Sequence, residues 1–142
     1  VKDGNVTLKK DRDYTVSYSA NKGIGTAKVT VTGKGSYTGK ITKTFKINPQ
    51  GQSISAKGDK SGKKIAVTLA KHSTNSGYQV SYADNSGFKK SKSLWLSGNS
   101  KNKGTIKGLK SKKTYYVKAR DYKTIGKTKV YGKWSAVKKV SI

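Results

Sequence analysis

Few groups in this 142-residue chain could do acid–base, nucleophilic or metal chemistry: one histidine, His72, six aspartates, no glutamate, no cysteine and no methionine. Without cysteine, no disulfide, thiolate metal site or thiol nucleophile can form. General acid–base catalysis needs a group that titrates near its working pH, and His72 is the one side chain of that kind. It lies in KHSTNSG, a string of turn formers that predicts an exposed, idle loop histidine. Asp11 and Asp13 in DRDY read as a turn leading into a strand rather than as two carboxylates flanking a cleft. DRD and ADNSG (83–87) bring too little negative charge, in a strongly positive surrounding, for a calcium shell of hard oxygens, and each is read as a turn. GKGSYTG and NKGIGTA lack the GxxxxGK[ST] spacing and open no helix, so neither makes a phosphate loop. A Lys–Asn isopeptide crosslink needs a buried acid beside the pair, and nothing in the sequence marks one. The expectation is no catalytic residue, no metal and no cofactor.

The chemistry that is abundant is cationic and aromatic. In KKTYYVKARDYK (112–123), Tyr115, Val117 and Ala119 share one parity, and Tyr116, Lys118, Arg120 and Tyr122 share the other. Period-two alternation predicts a β-strand with one buried and one solvated face, here with tyrosines and cations outward. Lysine outnumbers arginine thirty to two, and the formal net charge is +26. Mean hydropathy is −0.77, which by itself suits disorder. The strand-periodic apolar residues, bounded by Gly, Asn and Ser clusters, point to a folded, heavily solvated β-protein instead.

These residues need elements to hold them, and the sequence divides into two sets. The only proline, Pro49 in INPQGQ, removes a backbone donor and restricts its neighbour, and we place the boundary there: 1–49 and 50–142. In the first part Tyr14, Val16 and Tyr18 alternate, as do Ala27, Val29 and Val31, while Ile41, Phe45 and Ile47 share a parity. Turns at Asn21-Lys22-Gly23 and Gly33-Lys34-Gly35 separate the three strands. DYTVSY, an Asn three residues on, and GTAKVTVTGKGSYTGKITKTF resemble the Ig-like repeat of exported surface proteins of Gram-positive bacteria, over roughly residues 8–49. Such repeats usually begin with a further strand or two, so this module is read as truncated or as leaning on a neighbour. Val1 is not an initiator methionine, and the chain is expected to be part of something longer.

Residues 52–142 resemble a fibronectin type III domain. Ile65, Val67 and Leu69 suit its B strand, Tyr78, Val80 and Tyr82 its C strand, Leu94 and Leu96 its C′ strand, and Tyr115, Val117 and Ala119 its F strand, with YGKWSAVKKVSI as G. The spacing from Leu109 to Tyr115 matches the family's tyrosine corner, in which the hydroxyl bonds back to upstream backbone. The fold expected is all-β, two small β-sandwich-like modules in tandem. The resemblance puts C′, C and F side by side, so Trp95, outward between Leu94 and Leu96, shares a face with Gln79, Ser81, Tyr116, Lys118, Arg120 and Tyr122. That face is either a set of cation–π contacts or a platform for sugar rings or protein. Trp134 is expected at the edge of the core. Asp121 departs from the family pattern, falling on the inward parity at the strand end, and is expected at the rim beside a lysine.

Lysine is a hydrated point charge, whereas arginine serves bidentate phosphate and base recognition, and no nucleic-acid motif is present. The lysines run through every strand and turn, which makes a global field attractive to any polyanion and also blunts sheet edges. No apolar run approaches the about 20 residues of a membrane span. The role expected is a non-catalytic, monomeric spacer of an extracellular bacterial surface protein that contacts anionic wall or host polymers. An adhesin or carbohydrate-binding module using the Trp95 face, and a nonspecific nucleic-acid binder, are the alternatives.

Overall fold

A computed structural model describes residues 1–142 as all-β, with thirteen strands and no helix; no helix is therefore long and apolar enough to cross a membrane. The chain divides into two units, Val1–Ile47 and Asn48–Ile142.

In the first unit, β1 (Lys2–Asp3) and β2 (Val6–Thr7) form a minimal hairpin. Strands β3 (Tyr14–Ser19), β4 (Gly25–Gly33) and β5 (Lys40–Ile47) form an antiparallel meander. Register places Val16, Val31 and Ile41 side by side, and Thr15, Thr32 and Lys40 on the other face, so the predicted parities hold. Gly33 is required at its turn, because a Cβ there would meet the Tyr37 carbonyl at 2.7 Å. The DRDY turn is closed by Asp13, which accepts from the Lys9 amide at 2.8 Å and from Arg12 Nε and Nη2 at 2.7 and 2.8 Å. The Arg12 hydrogen bonds, then the Lys9 amide, pull the Asp13 carboxyl down to about 2. The apolar parity is only partly covered: Ala27 is buried, while Tyr18 and Ile41 are 59% and 60% exposed. A sheet buries a face only against a second layer, and within this unit the meander is a single layer.

The second unit has two layers of its own. Strands β6 (Ile54–Asp59), β7 (Lys64–Leu69) and, later in the chain, β10 (Lys103–Ile106) make one sheet in the order β10-β7-β6. The other sheet holds β8 (Gly77–Ala83), β9 (Lys92–Ser97), β11 (Thr114–Ile125) and β12 (Thr128–Tyr131), in the order β12-β11-β8-β9, with β13 (Lys138–Ser141) also on β11. Ile65, Val67 and Leu69 of β7 meet Tyr78 and Val80 of β8 and Tyr115, Val117 and Ala119 of β11 in one buried cluster. Each fully buried aliphatic side chain contributes roughly 1.5–3 kcal/mol. Leu94 and Leu96 of β9 turn inward onto Gly104 of β10, where a Cβ would lie 3.0 and 2.9 Å from their methyls. The corner tyrosine is formed: Tyr115 is buried and its hydroxyl accepts from the Lys110 amide at 2.9 Å.

The last strand is interrupted. β12 pairs with Tyr122–Ile125 of β11 and β13 with Thr114–Val117. Between them Ser135 carries the ladder, its amide donating to Ala119 O at 2.7 Å and its Oγ accepting from the Ala119 amide at 3.0 Å.

Candidate functional site

The outward face of the β9-β8-β11-β12 sheet is built by register. Gln79 of β8 stands opposite both Trp95 of β9 and Arg120 of β11, and Gly77 stands opposite Tyr122. Because Gly77 has no side chain, the Tyr122 ring lies over it; a Cβ at Gly77 would come within 2.8 Å of the Tyr122 hydroxyl. Trp95 then packs edge-to-face on Tyr122, with ring centroids 5.5 Å apart at 74°. Lys129 caps the pair at 5.4 Å from the Trp95 ring and 5.7 Å from the Tyr122 ring.

The same alternation continues across the sheet. The Arg120 guanidinium lies 3.7 Å from the Tyr131 ring and 4.3 Å from the Trp134 ring, and Lys118 Nζ lies 4.8 Å from Trp134 and 4.0 Å from Phe88. Gln79 fixes Arg120 in place by accepting from its Nε at 2.8 Å, and donates in turn to Ser93 Oγ at 3.0 Å. Burial pulls the Arg120 pKa down, which leaves it a cation at any ordinary pH. Each exposed cation–π contact contributes about 0.5–1 kcal/mol, and together they stitch the broken last strand to β11.

Of the expected ligand face, Trp95 is exposed (43%) and Tyr116, Lys118 and Arg120 are half-buried. Tyr122 keeps the outward parity but is buried, since Trp95 and the bare Gly77 let the ring lie flat under cover. Trp95 therefore clusters with Tyr122, while Tyr116 stands farther along β11 opposite Ala83 and Lys139. Trp134 corrects a second expectation. It stacks in the outward ladder rather than at the core edge, because the interruption between β12 and β13 lays it over Arg120 and Lys118.

Sequence reasoning missed one polar cluster. Asp121 is 1% exposed and has no lysine partner, contrary to expectation. Its Oδ1 accepts from Gln52 Nε2 at 2.6 Å, and its Oδ2 accepts from Asn75 Nδ2 at 3.1 Å and bonds His72 Nδ1 at 2.7 Å. His72, expected exposed and idle, is thus held: its side chain is 17% exposed and its amide donates to the Tyr78 hydroxyl at 3.1 Å. The cause is register: Asp121 pairs with Tyr78, which brings the segment before β8 against the end of β11. The pair has the His–carboxylate half of a hydrolytic triad, and no hydroxyl or thiol of the chain hydrogen-bonds to the imidazole ring. The inward parity of Asp121 was the one signal that could have found it, since a buried carboxylate must be hydrogen-bonded.

No family model and no curated protein matches the sequence. Among solved structures, the chain is similar to the FN1–FN3 domains of chicken CNTN1, at 18% identity and a TM-score of 0.56. The likeness covers 84% of this chain and 43% of that one, and it establishes a fibronectin type III-like, all-β fold.

Proposed function

We propose that the chain is a non-catalytic spacer of an exported bacterial surface protein, holding other domains while its lysine field keeps it near anionic polymers. The observation that carries this reading is the capping of the outward rings by the chain's own cations: Lys129 on Trp95 and Tyr122, Arg120 on Tyr131 and Trp134. A ring occupied in this way is spent on holding the sheet rather than offered to a sugar. The fibronectin type III-like fold supports a scaffolding or binding role in general terms, and thirty lysines against six acids favour wall polymers, host glycosaminoglycans or DNA without selecting one. The half-exposed edge of Trp95 keeps the adhesin as the second reading.

A salt titration separates them. Spacer behaviour predicts that teichoic acid, heparin and DNA all bind, with affinity for DNA falling roughly a thousandfold or more between about 50 and 200 mM salt if six to ten phosphates are contacted. Trp95→Ala leaves those affinities essentially unchanged. Salt-resistant binding of a neutral glycan that Trp95→Ala abolishes would instead establish the adhesin.

A further inference from the structure

We infer that a cleft at one end of the second unit is a discrete site for an acidic sugar residue, a ring carrying phosphate, sulfate or carboxylate. The cleft has a volume of about 420 Å³, within the roughly 300–1,000 Å³ range of small-ligand pockets. It opens between the β8–β9 loop and the β10–β11 loop. Lys89, Lys90, Lys92, Lys107 and Lys110 line it, against the single acid Asp84. Half-buried Tyr82 also lines it, with the buried Leu109 and Tyr115 at its base, so an apolar wall lies beneath the lysines.

Both walls are fixed before any ligand arrives. The Tyr115 hydroxyl holds the Lys110 amide, and the Leu109 amide donates to Lys63 O at 3.0 Å. On the other side Asn85 clamps its loop twice, accepting from the Lys89 amide at 2.9 Å and donating to Lys89 O at 3.0 Å. Phe88 of the same loop is held by Lys118, whose Nζ lies 4.0 Å from its ring. Phe88 and Lys90 take left-handed backbone, with φ of 54° and 51°, a conformation that persists in non-glycine residues only where the surroundings impose it. Five exposed lysines line one cavity, and an anion bound there can accept charge-assisted hydrogen bonds from those that reach it. A preformed cleft with lysines at its rim and an apolar wall beneath them suits an acidic ring better than a bare phosphate or a neutral sugar.

The site rests on the proposed contact with anionic polymers, yet it can fail separately. The probes are glucose 6-phosphate, glucose 6-sulfate and glucuronic acid, with glucose and inorganic phosphate as comparators, titrated by NMR into the full chain. Salt is held at about 150 mM, where charges more than about 8 Å apart are largely screened. At least one acidic sugar should give saturable one-to-one shifts at Tyr82, Asn85, Leu109 and Tyr115, and which one binds tells the acidic groups apart. Lys89→Gln/Lys92→Gln/Lys107→Gln should weaken it about tenfold or more, the scale of one lost charge-assisted hydrogen bond. Lys123→Gln/Lys127→Gln/Lys138→Gln, equal in charge, should change it less than about twofold. Lys107→Gln alone serves if the triple variant does not fold. Equal weakening by the two triples, or shifts spread over the surface without saturation, overturns the site and leaves the diffuse field standing. Glucose or inorganic phosphate binding as well as the acidic sugars overturns the assignment of ligand class. No binding of acidic sugars or of polyanions removes both proposals.

Discussion

Removing the Asp121 carboxylate would leave the Gln52 and Asn75 amides and the His72 ring facing an empty acceptor in the interior. A buried donor stripped of its partner costs about 1–3 kcal/mol. Asp121→Ala is therefore expected to destabilise the second unit by roughly 3 kcal/mol, read as a lower urea midpoint at unchanged slope. A change within about 0.5 kcal/mol, the size of an ordinary surface substitution, would mean that water replaces the carboxylate and that the cluster holds nothing. The Asn75 Oδ1 is already buried without a partner, so the cluster has little slack to reorganise. Asp13 shows the other way a carboxylate is kept in this chain: at a turn, against an arginine and an amide, in a short stretch of sequence.

Among the elements, β8 decides how the outward face is assembled, because Gly77 admits the Tyr122 ring and the ring in turn seats Trp95. A glycine inside a strand marks close approach of another group. In Gly77→Ala the new methyl meets both the Leu96 carbonyl and the Tyr122 hydroxyl, on a backbone at φ 154°. Overpacking of this kind costs about 1–3 kcal/mol. The expected outcome is a lower denaturant midpoint together with altered tryptophan emission as Tyr122 shifts under Trp95; a variant unchanged in both would refute this account of the face. The interrupted pair β12 and β13 follows the same logic at lower energy, with Ser135 bridging the ladder and Arg120 and Lys118 clamping Trp134 above it.

Across the whole molecule, the two units differ in how much apolar surface they bury. Unit two closes two sheets on one core, whereas the first unit's meander leaves Tyr18, Ile41 and Phe45 exposed. A fragment of residues 48–142 is expected to unfold cooperatively with a midpoint close to that of the second unit in the full chain. Residues 1–47 alone are expected to lack a cooperative transition, since about 50 residues without a second layer fall short of a self-sufficient core. A cooperative melt of the isolated first unit would show that its single sheet suffices. The charge belongs to this scale too: 30 lysines spread along the chain act through a summed field, and that field is what the salt titration measures.

Strand periodicity made much of this legible in the sequence. The alternation of Ile65, Val67 and Leu69, of Tyr78 and Val80, and of Tyr115, Val117 and Ala119 named the core, because a pleated strand sends alternate side chains to opposite faces whatever lies beyond it. The outward parity of Trp95, Lys118 and Arg120 was readable for the same reason, and the corner role of Tyr115 through the resemblance to a fibronectin type III domain, whose corner lies within a few residues of sequence. The Asp121 cluster was not readable, since Gln52, His72 and Asn75 lie 69, 49 and 46 residues from their partner. Nor was the pairing of Trp95 with Tyr122 rather than Tyr116, or the gathering of five lysines around one cleft. Those follow from which strands lie side by side and in what register, and a one-residue slip of register would have undone every one of them. Local pattern determined which face each residue takes; only the tertiary structure decided which residue it meets there.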